Sequence, residues 1–348
     1  MKTFDRKSAA LLIALTIALA EAFAVLYIVF VQYSDLQARY RDLQERVSQL
    51  EDAKSEPLRV YNAALSSVVT VKAVRSDGAL MQGSGFLYCC KGNVVTGFHV
   101  VANASTITVV FADETRTNAS LIGGDIYTDI AVVRCDVLPA SAKPLALGNS
   151  SALNVGEKVY AVGSPYGLSA SLSIGTVSGV GRLIQLADLG FPYPQAAYAV
   201  ADVVQFDATV APGSSGCPLL NGKCEVVGVI FAMREHGVAF AVSSDIARRV
   251  IAGIITNGRY DHPWLGVGYQ PDFVGGMKVL YVFPGSPAEK TGLREGDVIT
   301  AVDGHQVRTA GDFIAFIEKF RSPGEVVTLT VERNELRHLM QLKLEPRP

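Results

Sequence analysis

Three short segments of the 348-residue chain hold side chains suited to proton transfer and nucleophilic attack. The first, GSGFLYCCKGNVVTGFHVV at residues 83–101, ends an apolar strand (94–96) with His99, where a turn exposes the ring as a general base. A satisfied structural histidine fits the same pattern. The second, TDIAVV from Thr128, sets Asp129 at the mouth of a strand, where a carboxylate serves equally well as a cap or turn residue. The third, APGSSGCPLLNGKCEVVGV at residues 211–229, places Ser215 in a Gly-Ser-Ser-Gly turn, ahead of Pro218 and an Asn221-Gly222 hairpin signal. Glycines on both sides let the backbone bend until consecutive N–H groups converge on one point, the geometry an oxyanion requires. Read alone, that string is also an ordinary flexible loop.

The elements that must position these residues are short. Residues 67–73, 93–96, 107–111, 130–134, 158–162 and 226–231 are β-branched runs broken by glycine, and no long amphipathic helix intervenes before about residue 243. This predicts an antiparallel all-β domain, sandwich or barrel. An apolar fraction of 49% with 18% charged residues excludes a disordered chain, and a net charge of -2 excludes an electrostatic footprint for nucleic acid. The five cysteines show no zinc spacing, and His99, His236, His262, His305 and His338 are scattered, so neither a metal nor a cofactor is expected. A Cys217–Cys224 bridge across the hairpin is conceivable, whereas Cys89, Cys90 and Cys135 fall on predicted strands as core residues.

Ahead of the β-rich region, residues 8–31 are apolar apart from Glu21, which meets the length of about 20 residues that a spanning helix needs. The run exceeds the apolar region of a cleaved signal, and Lys2, Arg6 and Lys7 precede it. The expectation is a single-pass membrane anchor with a cytoplasmic N-terminus and the remaining chain on the extracytoplasmic side. Val29, Tyr33, Leu36, Tyr40, Leu43, Val47 and Leu50 then repeat at steps of four and three, which predicts a short coiled-coil stalk. Residues 52–57, ending in Pro57, read as a linker.

Together the three segments resemble the trypsin-like fold in its HtrA/Deg version. GSGF…TGFHVV is similar to that family's histidine segment, TDIAVV to its aspartate segment and PGSSGCPL to its nucleophile segment, in the chain order His, Asp, Ser. The resemblance implies a chymotrypsin-like double β-barrel in which Ser215 attacks a peptide carbonyl, His99 takes and returns the proton, and Asp129 orients the imidazole. It implies an oxyanion hole of Gly213 and Ser215 N–H groups, with Ser214 as a further member. Two positions depart from the family pattern: Ser214 stands where asparagine is usual, and Cys217 where glycine is. The resemblance also implies that Thr209, six positions before Ser215, lies near the base of the primary pocket, and its lack of charge argues against cleavage after Arg or Lys. The strand of Val229, Ile230 and Phe231 is expected to pair with the substrate backbone.

The C-terminal part resembles a PDZ domain of the same family. Trp264, Leu265, Gly266 and Val267 are similar to its carboxylate-binding loop, and GSPAEKTGLREGDVITAVDG at residues 285–304 is its most specific stretch. Phe313, Phe316 and Ile317 recur on one helix face, available to the groove or to the core.

The expected organisation is therefore an anchor (1–32), a stalk and linker (33–57), a protease domain (58–260) and a PDZ domain (261–348). The implied function is a membrane-tethered serine endopeptidase of envelope quality control. Its partners would be unfolded or signal-bearing proteins and, at the PDZ domain, C-terminal peptides. It would assemble as a trimer, with residues 181–198 in the place of a peptide-sensing loop. Two alternatives stay open: an inactive protease-fold scaffold, kept in view by Cys217, and a soluble secreted protease if the anchor is cut.

Overall fold

Apolar runs such as IAVV at 130–133 and VYAV at 159–162 offer both faces of a strand to a core, and both faces are used. The computed structural model describes residues 6–89, 91–164, 170–189, 199–234 and 237–348. Met1–Glu56 forms one compact unit and Pro57–Pro348 the other.

In the first unit the described residues belong to helix α1 (Arg6–Ala64). Its stretch Ala9–Ser48 is long and apolar enough to cross a membrane, by length and composition. Val29, Tyr33, Leu36, Tyr40, Leu43 and Val47 are all exposed along it. Lys2 lies outside the described residues, as do the side chains of Arg6, Lys7 and Leu50.

Residues 52–57, expected as a linker, are helical, and Pro57 lies inside α1. Local breaker chemistry is overridden by burial just beyond it: Val60 and Ala64 are fully buried in the main core, with Tyr61 packed against it. Arg59 Nη2 also donates to the Gly222 carbonyl at 2.8 Å. Most helical stability comes from such tertiary packing rather than from propensity.

The first barrel is built from β1 (Val68–Arg75), β2 (Leu80–Leu87), β3 (Asn93–Gly97), the single turn α2 (Phe98–Val101), β4 (Ala104–Phe111), β5 (Arg116–Asp125) and β6 (Ile130–Cys135). It closes in the order β1-β2-β3-β6-β5-β4. The second comprises β7 (Lys158–Gly163), β8 (Ser171–Gln185), β9 (Ala199–Phe206), β10 (Pro218–Leu220), β11 (Val226–Arg234) and β12 (Val238–Ser243), closed as β10-β11-β12-β9-β8-β7. Successive side chains of a strand point to opposite faces. Ala131 and Val133 of β6 thus join Val69, Leu87 and Val109 in the first barrel's own core. Ile130 and Val132 face a second core shared with Tyr160 and Val162 of β7 and Val242 of β12. That shared layer cements the two barrels, and it explains why the strands read as unbroken apolar runs.

Helix α3 (Ser244–Asn257) follows, its N-terminus capped by the Ser243 side chain accepting from the Ile246 N–H. Val250, Ile251 and Ile254 fill the shared core. The last module contains β13 (Pro263–Trp264), β14 (Val267–Tyr269), β15 (Met277–Val282), α4 (Pro287–Thr291), β16 (Val298–Val302), β17 (His305–Gln306), α5 (Ala310–Phe320), β18 (Val326–Arg333), β19 (Leu336–Lys343) and β20 (Glu345–Pro346). Its signature stretch has a physical reason at each step. The Ser286 side chain caps α4, Gly292 ends it, and Asp297, 1% exposed, receives Arg333 through two bonds of 2.7 Å. Phe313 and Ile317 of α5 are core residues, whereas Phe316 stacks on the His305 ring at 4.8 Å.

One further expectation changes. Cys89 lies in the bend after β2 rather than on a strand, and Cys90 is outside the described residues. Of residues 181–198, Gly181 to Gln185 continue β8 and Leu186–Leu189 form a 3-10 turn; 190–198 lie outside the described residues.

Candidate active site

Strands β3 and β6 pair with Gly97 opposite Ile130. That register brings together Asp129, one residue before Ile130, and His99, two residues beyond Gly97. His99 Nδ1 lies 2.6 Å from Asp129 Oδ2, and the His99 backbone N–H donates to Asp129 Oδ1 at 2.9 Å. A carboxylate can only accept, so the proton sits on Nδ1 and Nε2 is left as the basic nitrogen. Asp129 is buried at 4% exposure, with φ at +56°, and its carbonyl receives the Phe98 N–H at 2.8 Å. Burial, the largest influence, lowers the affinity of His99 for a proton; the hydrogen bond and charge of Asp129 outweigh it, and the net pKa is raised above 6.5.

Ser215 arrives from the second barrel, in the turn between β9 and β10. A Cβ built on Gly97 would stand 3.4 Å from His99 Cε1, 3.4 Å from Asp129 Oδ2 and 3.5 Å from Ser215 Cβ. The three side chains therefore converge on one bare stretch of backbone. Gly213 (φ +97°) and Gly216 (φ +83°) hold the left-handed conformations that the turn around Ser215 requires. The Ser214 N–H is spent on the Ala211 carbonyl at 2.9 Å. Ser214 is thus withdrawn from the expected oxyanion donors, and Gly213 and Ser215 remain.

Ser84 was not singled out from the sequence. It is fully buried, its N–H donates to the Ser215 carbonyl at 2.9 Å, and its hydroxyl donates to the Gly213 carbonyl at 2.7 Å while accepting from the Ser164 N–H at 2.9 Å. One side chain from the first barrel thereby fixes the loop that carries Ser215. Ser84→Ala would take this partner from the buried Ser164 N–H and the half-buried Gly213 carbonyl, at about 1–3 kcal/mol. The expected result is a kcat lowered by about tenfold to a hundredfold with a smaller change in KM, measured by steady-state cleavage. An unchanged kcat would mean that the loop keeps its shape without this hydroxyl.

Cys217 is 1% exposed, and its thiol donates to the Val162 carbonyl at 2.9 Å. Burial pushes the thiol pKa up, away from the thiolate form that attack requires. Cys224 is also a free thiol, so no bridge joins the two. Among the described residues no His/Cys/Asp/Glu cluster could hold a metal ion.

Comparison with known proteins places this geometry. Residues 83–229 match the family model described as a trypsin-like peptidase domain, and residues 231–344 match that of a PDZ domain. Protease Do-like 1, chloroplastic, of Arabidopsis thaliana is 32% identical over 86% of this chain and 74% of its own length. The chain belongs to the HtrA/Deg family of serine proteases. It is a serine endopeptidase with one PDZ domain. A probable periplasmic serine endoprotease, DegP-like, from Chlamydia trachomatis is 36% identical over 73% of this chain, which spans about half (52%) of that relative. The solved structure of the HtrA-type protease AlgW with tripeptide superposes with a TM-score of 0.71 at 26% identity, covering 84% of this chain and 97% of that one.

Beside Ser215, this HtrA-family protease has a cavity of about 270 Å³ lined by Ala161, Ser171, Leu172, Ser173, Thr209 and Cys217 among others. Thr209 is one of its lining residues, and none of the described lining residues carries a charge. The expected substrate strand is corrected. Strand β11 runs between β10 and β12 of a closed barrel: Val229 pairs with Pro218 and Val242, and Ile230 donates to the Cys217 carbonyl and accepts from the Gly216 N–H. With both edges occupied, Val229 and Ile230 cannot accept an added strand. Phe231 sits where the register shifts and is buried.

In the PDZ domain, Trp264 belongs to β13, Leu265 is buried in the domain core, and Val267 starts β14. Gly266 between them packs so closely that a Cβ would fall 2.1 Å from Ser286 Cβ. The Leu265 and Gly266 carbonyls are bound by the Ala288 and Phe283 N–H groups. This fastens the loop from behind.

Proposed function

We propose that this HtrA-family endopeptidase works through His99, Asp129 and Ser215 as a catalytic triad, tethered to a membrane by residues 8–31. The observation that carries the reading is the convergence of Ser215 Cβ, the His99 ring and the Asp129 carboxylate on Gly97. Ser215 Oγ attacks the substrate carbonyl as His99 Nε2 takes its proton, and Asp129 stabilises the imidazolium that forms. The Gly213 and Ser215 N–H groups bind the developing oxyanion. His99 then protonates the leaving amine, and water hydrolyses the acyl-enzyme by the same steps in reverse roles. The uncharged pocket at Thr209 and Leu172 suits small or aliphatic side chains.

The base must be neutral to act. With the His99 pKa raised, activity is present at higher pH and is lost as pH falls through that raised value. A kcat/KM profile should show an acid limb above about 6.5, and a limb below it would contradict the Asp129 pairing.

The apolar stretch of α1 supports an anchor, with the N-terminus cytoplasmic, the protease and PDZ domains extracytoplasmic, and the exposed seam from Val29 to Val47 joining copies into a trimer. Substrates are unfolded or signal-bearing proteins. C-terminal peptides bind beside Trp264, Leu265, Gly266 and Val267, shifting the protease toward its active state. The test is cleavage of an unfolded protein by the full chain in lipid vesicles, with and without peptides ending in a free carboxylate. Stimulation that an amidated peptide fails to give supports the gate; equal rates in all three would remove it.

A further inference from the structure

His262 was one of the scattered histidines of the sequence, yet its ring is 2% exposed and stands between two carboxylates. Nε2 lies 3.0 Å from Asp125 Oδ2, and Nδ1 lies 2.9 Å from Glu318 Oε2. Asp125 already accepts the N–H groups of Tyr127 and Thr128 and the Thr128 hydroxyl, and Glu318 faces Arg347 Nη2 at 3.5 Å. Both carboxylates are thus held as acceptors, so both ring nitrogens must donate, and the ring is an imidazolium. Two negative and two positive groups balance in a buried cluster. The Tyr127 and Tyr260 rings meet the imidazole edge-on at 5.1 and 4.7 Å.

The three residues come from three places. Asp125 ends β5 and pins the turn that delivers Asp129; His262 lies between α3 and β13; Glu318 is in the last turn of α5. We propose that Asp125, His262 and Glu318 are positioning residues for the protease reaction, with the buried imidazolium holding the turn that presents Asp129 and fastening it to α5 of the PDZ domain. The proposal rests on the triad reading above. Asp129 keeps its left-handed backbone only because the surroundings over-determine it, and the Asp125 bonds to Tyr127 and Thr128 are part of that restraint. Removing the imidazolium leaves the Asp125 carboxylate buried without its nearest counter-charge. Protonation or rotation of Asp125 then frees the turn and lets the His99–Asp129 pair drift.

The device has a pH signature. Burial, the largest influence on His262, lowers its pKa, but Asp125 and Glu318 outweigh it and raise the value to about 9. The groups that face it are Asp125, Glu318, Arg347, Tyr127 and Tyr260. Since the folded value is raised, the bridge is complete below about 6.5 and is lost as pH rises through about 9. Asp125 is held below its ordinary value, burial working against and His262 for that shift, and stays ionised throughout this window.

The test measures kcat and KM of the full chain on an unfolded protein from about pH 6 to about pH 10. It compares wild type, His262→Gln, Glu318→Gln and the double variant, with Ser215→Ala as the blank. Wild type should show an alkaline fall near pH 9. His262→Gln should lose about tenfold to a hundredfold in kcat at neutral pH with KM within about twofold, and should lose the alkaline limb. The double variant should lose scarcely more than His262→Gln, because both residues act through the same bridge. A folded His262→Gln enzyme with wild-type kcat, or with the alkaline limb retained, would overturn the proposal. If His262→Gln does not fold, Glu318→Gln decides: the limb must move to lower pH, and an unmoved limb overturns it. Wild-type rates in Ser215→Ala would instead sink the triad reading.

Discussion

Replacing Ser215 by alanine should lower kcat by a factor on the order of 10⁴ or more, with little change in KM. The size follows from what each group supplies. Without the hydroxyl no acyl-enzyme forms, and only the oxyanion donors and bound-state positioning remain to help water attack. His99→Ala should cost about as much, and the double variant scarcely more than either, since the two act as one unit. The measurement is cleavage of an unfolded protein together with labelling by an active-site fluorophosphonate. Label retained in Ser215→Ala, or additive losses in the double variant, would place the nucleophile elsewhere.

Gly216→Ala should be nearly as damaging through sterics alone. A Cβ there would fall 2.3 Å from the Ser84 carbonyl oxygen, 2.5 Å from the Gly97 nitrogen and 2.7 Å from Thr96 Cα, all of them backbone atoms that cannot swing aside. Its φ of +83° adds about 1–2 kcal/mol of strain for an L-residue. Relief requires the Ser215 turn to retreat from β2 and β3. A displacement near 1 Å at the nucleophile costs about a hundredfold in rate. The expected outcome is a kcat at least a hundredfold lower and a lower unfolding midpoint, followed by steady-state kinetics and thermal denaturation. Gly78, with a similar φ but open space around a built Cβ, provides the control: alanine there should bear the strain and leave kcat alone.

The sequence disclosed what is local. His99, Asp129 and Ser215 each sit in a run of a few residues whose strand–turn character can be read directly, and the strands around them are too apolar to be anything but buried. Ser84 escaped because its partners, Gly213 and Ser164, are distant in the chain and are backbone groups, which leave no compositional trace. His262 escaped for the same reason, since its acids lie far away on both sides. Val229 and Ile230 were misassigned because an apolar strand looks the same at the edge of a sheet and inside a barrel. Pro57 marked a break by local rules, but the burial of Val60 and Ala64 settled the matter.

The division of the site between two barrels bears on when the chain becomes dangerous to its neighbours. His99 and Asp129 are made early and lie in the first barrel, whereas Ser215 and its supporting strands come later in synthesis. The shared layer containing Phe86, Val132, Tyr160 and Val242 can form only after β12 has been translated. A chain still being synthesised therefore holds His99 and Asp129 without Ser215. Under the triad reading, completion of the fold is itself a safety catch.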